Sequence, residues 1–193
     1  RIVGDPTEGA LVVAAAKAGS YRVDMKKAYP RESEVPFDSE RKRMITVHDI
    51  KNPQSGDPSP FRDRQQLDWD VIAVKGAPDV VLGLCTRYQA LDDNTQPLTD
   101  DMRRTIMDAN DAMTRDALRV LGFAYRLERD VPEDLEQVPQ HKLESDLVFV
   151  GLVGMIDPPR EEVKPALAKA KQAGIRTIMI TGDYANTARA IAE

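Results

Sequence analysis

Lys75 closes the apolar stretch Trp69-Asp70-Val71-Ile72-Ala73-Val74, and Gly76 follows it. A cation placed there is partly covered by its neighbours and needs a partner, while the glycine lets a backbone or a ligand come close. A snorkelling lysine and a ligand-binding lysine fit this pattern equally. Phe37 stands just before the basic run Arg41-Lys42-Arg43. An aromatic ring can stack on a base such as adenine, and Lys or Arg can hold phosphates. Read locally, however, Phe37 is first a core residue and the basic run a solvated face. Gly4-Asp5-Pro6-Thr7-Glu8 gives an N-cap, a proline at the first helical position and an acid in the first turn. That is a well-capped helix, or a helix start held at a ligand. Thr181-Gly182-Asp183 supplies a hydroxyl, a permissive glycine and a carboxylate, a set that suits a phosphate and its Mg2+. The same tripeptide also reads as an ordinary helix N-cap after a turn.

Other chemistries are excluded or disfavoured. No Gly-rich Walker loop and no GxGxxG fingerprint occurs, so a nucleotide site here is neither a P-loop nor a dinucleotide site. Cys85 is the only cysteine, which removes a disulfide framework and a cysteine metal cluster and points to a reducing compartment such as the cytosol. His48 and His141 are far apart and read as surface or partly packed residues. Net charge is -5, so no nucleic-acid surface is indicated, and an anionic ligand must be held by a few placed cations. Hydrophobic residues at 41% and charged residues at 31% suit a globular chain of 193 residues. The longest apolar run, Leu147 to Ile156, is well short of the ~20 residues of a membrane helix. The chain opens on Arg1 rather than Met, which fits a piece of a longer protein.

These residues must be positioned by elements that the pattern predicts. A helix runs from the Asp5 cap to Ala18 and stops at Gly19. Strand pattern flanks the basic centre between Glu34 and Ile50, and resumes from Trp69 to Lys75 after an exposed loop, suggesting an antiparallel hairpin. A short helix follows Pro78 to about Leu84. Thr99 caps a longer helix whose Met102, Ile106, Ala109 and Met113 recur at helical spacing as core. Leu118 to Leu127 and Leu147 to Ile156 are strands, joined by a polar connection from Arg129 to Leu143. Beyond Pro158 and Pro159 a helix spans Glu161 to Ala173, and Ile175 to Ile180 reads as a largely buried parallel strand. The change from hairpins and helices to helix–strand–loop–helix places a domain boundary near Asp157.

Five segments in order resemble one family. They are Gly4 to Leu11, Pro36-Phe37-Asp38-Ser39-Glu40-Arg41-Lys42-Arg43-Met44, Lys75-Gly76-Ala77-Pro78, Asp157-Pro158-Pro159-Arg160 and Met179-Ile180-Thr181-Gly182-Asp183. Together they are similar to the nucleotide-binding domain of P-type cation-transporting ATPases, and the second segment looks most like the calcium-pump branch. The resemblance implies an α+β fold, an antiparallel sheet flanked by helices over residues 1–156. Residues 157–193 would be the hinge and a partial α/β segment of the phosphorylation domain.

It also implies roles. Phe37 would stack on adenine, and Glu8 would hold the adenine edge with Thr7 and Asp5 nearby. Lys75 and Gly76 would line the bottom of the pocket, and Leu121, in the segment Leu118-Arg119-Val120-Leu121, would belong to the nucleotide site. Lys42 and Arg119 would reach the phosphates. Asp157 and Arg160 would serve the hinge and the nucleotide. Thr181, Gly182 and Asp183 would approach the γ-phosphate and its Mg2+. Some calcium pumps carry an Arg two residues after the stacking Phe; here that position is Ser39, and Arg41 or Arg43 stands as a substitute. Tyr184 replaces the Asn or His that relatives often carry.

The Asp-Lys-Thr-Gly-Thr segment that takes the phosphoryl group and the later Gly-Asp-Gly-Xaa-Asn-Asp segment are absent from the chain. The expectation is a domain that binds ATP or ADP without hydrolysing ATP alone. It would work with the phosphorylation, actuator and transmembrane domains of one polypeptide at the cytoplasmic face of a membrane. Calcium is the implied cargo, with manganese, sodium or protons as alternatives. A non-catalytic nucleotide-sensing module and a free-standing phosphatase-like enzyme using the Thr-Gly-Asp tail are the rival readings.

Overall fold

The computed structural model describes residues 5–53, 59–61, 67–132, 134–135, 138–156 and 160–180. Alternation dominates its centre. In β2 (Arg43–Asp49) Ile45 and Val47 are sealed while Met44, Thr46 and His48 are half-buried. In β3 (Asp70–Gly76) Ile72 and Val74 are sealed in the same way. Successive side chains of a strand point to opposite faces, so this pattern specifies a sheet covered unequally on its two sides. β6 (Arg119–Glu128) and β7 (Leu147–Met155) continue it, and β1 (Arg31–Asp38) forms one edge. β4 (Cys85–Gln89) and β5 (Thr95–Pro97) complete a seven-stranded sheet in the order β1-β2-β3-β6-β7-β4-β5. The hairpin expected between the second and third strands is present, β2 against β3. The sheet is mixed rather than purely antiparallel, because β4 runs parallel to β7.

Helices cover one face. α3 (Pro78–Gly83) drops Val81 and Leu82 into a core that includes Ile45, Ile72, Val74, Leu147 and Phe149. α4 (Asp100–Arg115) begins at Thr99, whose hydroxyl accepts the Met102 amide. It packs through Ile106 and Met107; the expected stripe holds at Met102, Ile106 and Met113 but not at Ala109, which is exposed. Arg103 of α4 donates to the carbonyls of Leu82 at 2.7 Å and Cys85 at 2.6 Å, tying α4 to the C-terminal end of α3. On the other face, α2 (Arg22–Ala28) sets Met25, Ala28 and Tyr29 against Ile50 and Val71. α1 (Pro6–Lys17) starts at Asp5, as its sequence requires, and buries only Gly9. Ala18 is its C-cap, and Gly19 follows at φ 87°, a conformation that suits glycine.

Two sequence expectations need correction. The polar connection from Arg129 to Leu143 contributes to the core, with Leu135 and Leu143 buried and a one-turn α5 (Gln140–Leu143) before β7. Ile175 to Ile180 is not a buried strand. It carries no strand structure, and Ile175, Ile178, Met179 and Ile180 are exposed, Ile180 at 93%. Apolar composition makes a strand only where a neighbour supplies the ladder, and no described strand pairs with it. The helix before it is present as α6 (Val163–Gln172), and Gly174 follows in the left-handed region.

Candidate functional site

The antiparallel registers line up three rungs on the face opposite α3. Met44, Lys75 and Phe123 form the first, Thr46, Ala73 and Tyr125 the second, and His48, Val71 and Leu127 the third. The first two rungs, with His48 and Val71 of the third, floor a cleft of about 790 Å3. α2 walls it with Met25, Tyr29 follows as the helix C-cap, and Phe61 packs edge-on against Tyr125 at 4.8 Å and Tyr29 at 6.2 Å between ring centroids. Tyr125 donates its hydroxyl to Gln89 Oε1 at 2.7 Å. His48 contacts the Tyr29 carbonyl at 3.2 Å and Thr46 Oγ1 at 3.0 Å. Burial holds His48 below its ordinary pKa, against the pull of the Tyr29 carbonyl and with the Arg31 charge adding.

At one end of the cleft Lys75 meets Glu8. Its Nζ donates to both carboxylate oxygens, at 2.5 and 2.6 Å. The partner demanded by a half-covered lysine therefore comes from the first turn of α1. Beside this pair Arg119 donates to Thr7 Oγ1 at 3.5 Å. Asp5 caps the helix by accepting the Thr7 amide at 2.8 Å. The Thr7 hydroxyl, then the Glu8 and Thr7 amides, hold its carboxyl below the usual range, with the Arg119 charge adding. So Asp5, Thr7, Glu8, Lys75 and Arg119, spread over 115 positions of sequence, come together. Arg22, Lys26 and Arg31 add further cations to the cleft lining. With Glu8 and Asp93 as the acids of the lining, a chain of net charge -5 keeps a local excess of cations where an anionic ligand has room.

Phe37, Lys42 and Gly76 sit one rung further along. Arg43 lies opposite Gly76, and a bulge between Val35 and Asp38 brings Asp38 opposite Arg43. Phe37 is 63% exposed, which overturns its local reading as a core residue. Lys42 adopts φ 54° in an exposed turn, and its carbonyl accepts the Ala77 amide at 2.9 Å. A side chain on Gly76 would come within 2.3 Å of that carbonyl, so what approaches this glycine is the Lys42–Arg43 backbone. Leu121 is half-buried on the same face as Phe123, one rung beyond it. None of these four residues lines the cleft itself.

Arg41 and Arg43 also differ from the reading of the sequence. Neither belongs to a solvated face or reaches outward as a substitute phosphate ligand. Both guanidinium groups bind Glu144, Arg43 at 2.5 Å. Arg160 is exposed ahead of α6 and does not line the cleft. Asp157, Thr181, Gly182 and Asp183 lie outside the described residues. Cys85 is no nucleophile, since burial pushes its thiol up to about 12 despite the opposing Arg103 charge. Among the described residues no group of three or more His, Cys, Asp and Glu could hold a metal, and no helix is long and apolar enough to cross a membrane.

The sequence did not single out Thr46, His48, Phe123, Tyr125 or the α2 residues. They join Lys75 through strand register, and no local signal carries that register.

The family profile described as P-type ATPase, cytoplasmic domain N, matches residues 1–162. The calcium-transporting ATPase 1 of Lactococcus lactis is 40% identical over 193 residues, covering 100% of this chain and 20% of the relative. A calcium-transporting ATPase 1 of Bacillus cereus is 42% identical over 190 residues, 98% of this chain and 19% of the relative. A cation-transporting ATPase of Synechocystis is 38% identical over 192 residues, again all of this chain and 19% of the relative. The chain thus spans about a fifth of the length of these relatives. With the five motifs in order, a sheet flanked by helices and the profile match over most of its length, this chain belongs to the P-type ATPase family and corresponds to its cytoplasmic domain N.

Proposed function

We propose that the chain is the ATP-binding domain of an ion-translocating P-type ATPase and presents MgATP to a phosphorylatable aspartate outside these residues. One observation carries the reading: Lys75 and Glu8 pair at the end of a cleft whose remaining lining is largely apolar and aromatic, with Arg119 and Thr7 beside them. Nucleotide pockets need such a pairing of a stacking surface with a few placed charges. ATP supplies the transferable phosphoryl group, and the chain's own part is to bind and orient it. Phe37 offers an exposed ring for adenine. Glu8, able to accept from an exocyclic amine, releases Lys75 as it turns to the base. Lys75, Arg119 and Lys42 offset phosphate charge. The Mg2+ side of the reading rests on Thr181, Gly182 and Asp183. Asp157 and Arg160 belong to a hinge, with residues 157–193 forming part of the phosphorylation domain and 1–156 the nucleotide domain.

The whole polypeptide then sits with this domain at the cytoplasmic face of a membrane, joined to the remaining phosphorylation, actuator and transmembrane domains. Calcium is the proposed cargo, since the relatives from Lactococcus lactis and Bacillus cereus carry calcium transport in their names. The test is an NMR titration of the chain with ATP. Shifts cluster at Glu8, Lys75, Phe123 and Arg119. Lys75→Ala weakens binding at least about tenfold, the loss of a charge-assisted hydrogen bond, and Phe37→Ala weakens adenosine as much as ATP. No shifts at millimolar ATP in a folded sample would refute the reading.

A further inference from the structure

Glu144 is 6% exposed and lies between α5 and β7, roughly a hundred residues from the β1–β2 turn that carries Phe37 and Lys42. Two guanidinium groups from that turn converge on it. Arg41 reaches Glu144 Oε1, and Arg43 reaches Oε2 at 2.5 Å. Arg43 also donates to the Arg41 carbonyl at 2.9 Å. The turn is further shaped by Asp38, whose carboxylate accepts the Glu40 amide at 2.9 Å and the Arg41 amide at 2.8 Å, and whose carbonyl accepts the Lys42 amide at 2.7 Å.

Burying three charges is costly, and a buried ion pair is weak as a source of stability; what it supplies is a unique geometry. Here the geometry is specific. Residues 41 and 43 are both drawn inward to one carboxylate, so the residue between them is exposed, and that residue is Lys42. One of the two anchors, Arg43, lies opposite Asp38 at the bulged end of β1, next to Phe37. Among the described residues the Arg41 and Arg43 Nε atoms are buried without partners, and the acceptors of both guanidinium groups are Glu144 and, for Arg43, the Arg41 carbonyl.

We propose that Glu144 is a positioning residue for nucleotide binding: it fixes the turn that presents Phe37 and Lys42 without touching the nucleotide. The proposal rests on the ATP-binding reading above. Glu144→Gln keeps the size of the side chain but leaves two inward guanidinium groups with a single carbonyl oxygen between them. The turn then samples other conformations, and the adenine and phosphate contacts lose their fixed spacing.

The experiment combines 15N relaxation with ATP titration on the wild-type chain, Glu144→Gln, Phe37→Ala and the double variant. In Glu144→Gln the backbone order parameters of residues 39–42 fall from the rigid value of about 0.85 to below about 0.7, while those of β3 and β6 stay rigid. ATP binds about tenfold more weakly, and the same change in the Phe37→Ala background costs less than about threefold, because the two residues act through one contact.

A turn that stays rigid in Glu144→Gln overturns the proposal, and so does a mobile turn with unchanged ATP affinity or with fully additive losses. Should Glu144→Gln unfold, Arg41→Lys keeps the charge and removes the planar fork, and the same criteria apply to it. A wild-type chain that binds no ATP refutes the nucleotide reading itself. A wild type that binds while Glu144→Gln binds equally well refutes only the positioning role.

Discussion

On one face of the sheet Ile45, Val74 and Phe149 are sealed beneath α3. On the other, Met44 and Lys75, drawn from the same β2 and β3, floor a cleft of about 790 Å3 together with Phe123 of β6. The first face is closed by helix packing, with Val81 and Leu82 filling it and Arg103 fastening α4 to α3. The second is half-closed. α2 covers one end by packing Met25 and Ala28 on Ile50 and Val71, while α1 is held at the other by Lys75–Glu8 and by Arg119–Thr7. Dry contacts are rigid and cheap to maintain, whereas a polar latch can open when a competing charge arrives. One sheet thus divides its labour: stability comes from the face that excludes everything, and the proposed nucleotide binding from the face that leaves room. The Glu144 clamp connects the two, since Glu144 is buried and its anchors shape a turn at the open end.

A cavity in the sealed face has the greatest consequence. Leu147→Ala removes a fully buried side chain and costs about 3 kcal/mol. Urea denaturation measures the loss, and ATP affinity per folded molecule stays unchanged. Gly76→Ala comes next. Its methyl meets the Lys42 carbonyl, so we expect a loss of about 2 kcal/mol from overpacking, with ATP binding weakened because the turn must move. An equal stability loss without any effect on binding would show the turn to be irrelevant to the cleft.

Glu8→Ala acts on the open face alone. The Glu8 side chain is 54% exposed, so the change in stability stays within about 1 kcal/mol. Amide hydrogens of α1 exchange faster, while those of α3 do not.

The smallest effect is in pH. His48 faces the cleft with its folded pKa held below the unfolded value of 6.5, burial being the main cause. The native state therefore binds the proton less readily than the unfolded chain. The His48 contribution is complete above about pH 6.5 and is lost as pH falls through the window beneath it. For Glu144, burial raises the pKa, but the hydrogen bonds and charges of Arg43 and Arg41 outweigh it, and the carboxyl stays below its usual 4.5. Its contribution is present above that value and is lost only at more acid pH. Stability measured from pH 7 downward should show two separate steps, and His48→Gln should remove the upper one alone.

Several elements were legible in the sequence because their causes are local. Asp5 and Thr99 cap α1 and α4 through their own side chains, Gly19 and Gly174 end helices at positive φ, and β2, β3, β6 and β7 follow from alternating or continuous apolar runs. The motif order carried the family, and Lys75 announced its need of a partner by standing at the end of an apolar strand. α2 was not legible: it has seven residues, an uncapped Tyr21 start and little apolar pattern. β4 escaped for another reason, being polar along most of its length and made a strand by parallel pairing with β7 some sixty residues later.

The tertiary structure alone decided where charges go. A run such as Arg41-Lys42-Arg43 looks solvated in one dimension, because nothing nearby in sequence reveals that Glu144 waits behind it. The reverse holds at Ile175 to Ile180, whose apolar run lies exposed with no described strand beside it. Caps, turns and periodicity are properties of neighbouring residues and are therefore written locally. Burial, ion pairing and strand register depend on which distant segments meet, and that is settled only when the sheet closes over its core.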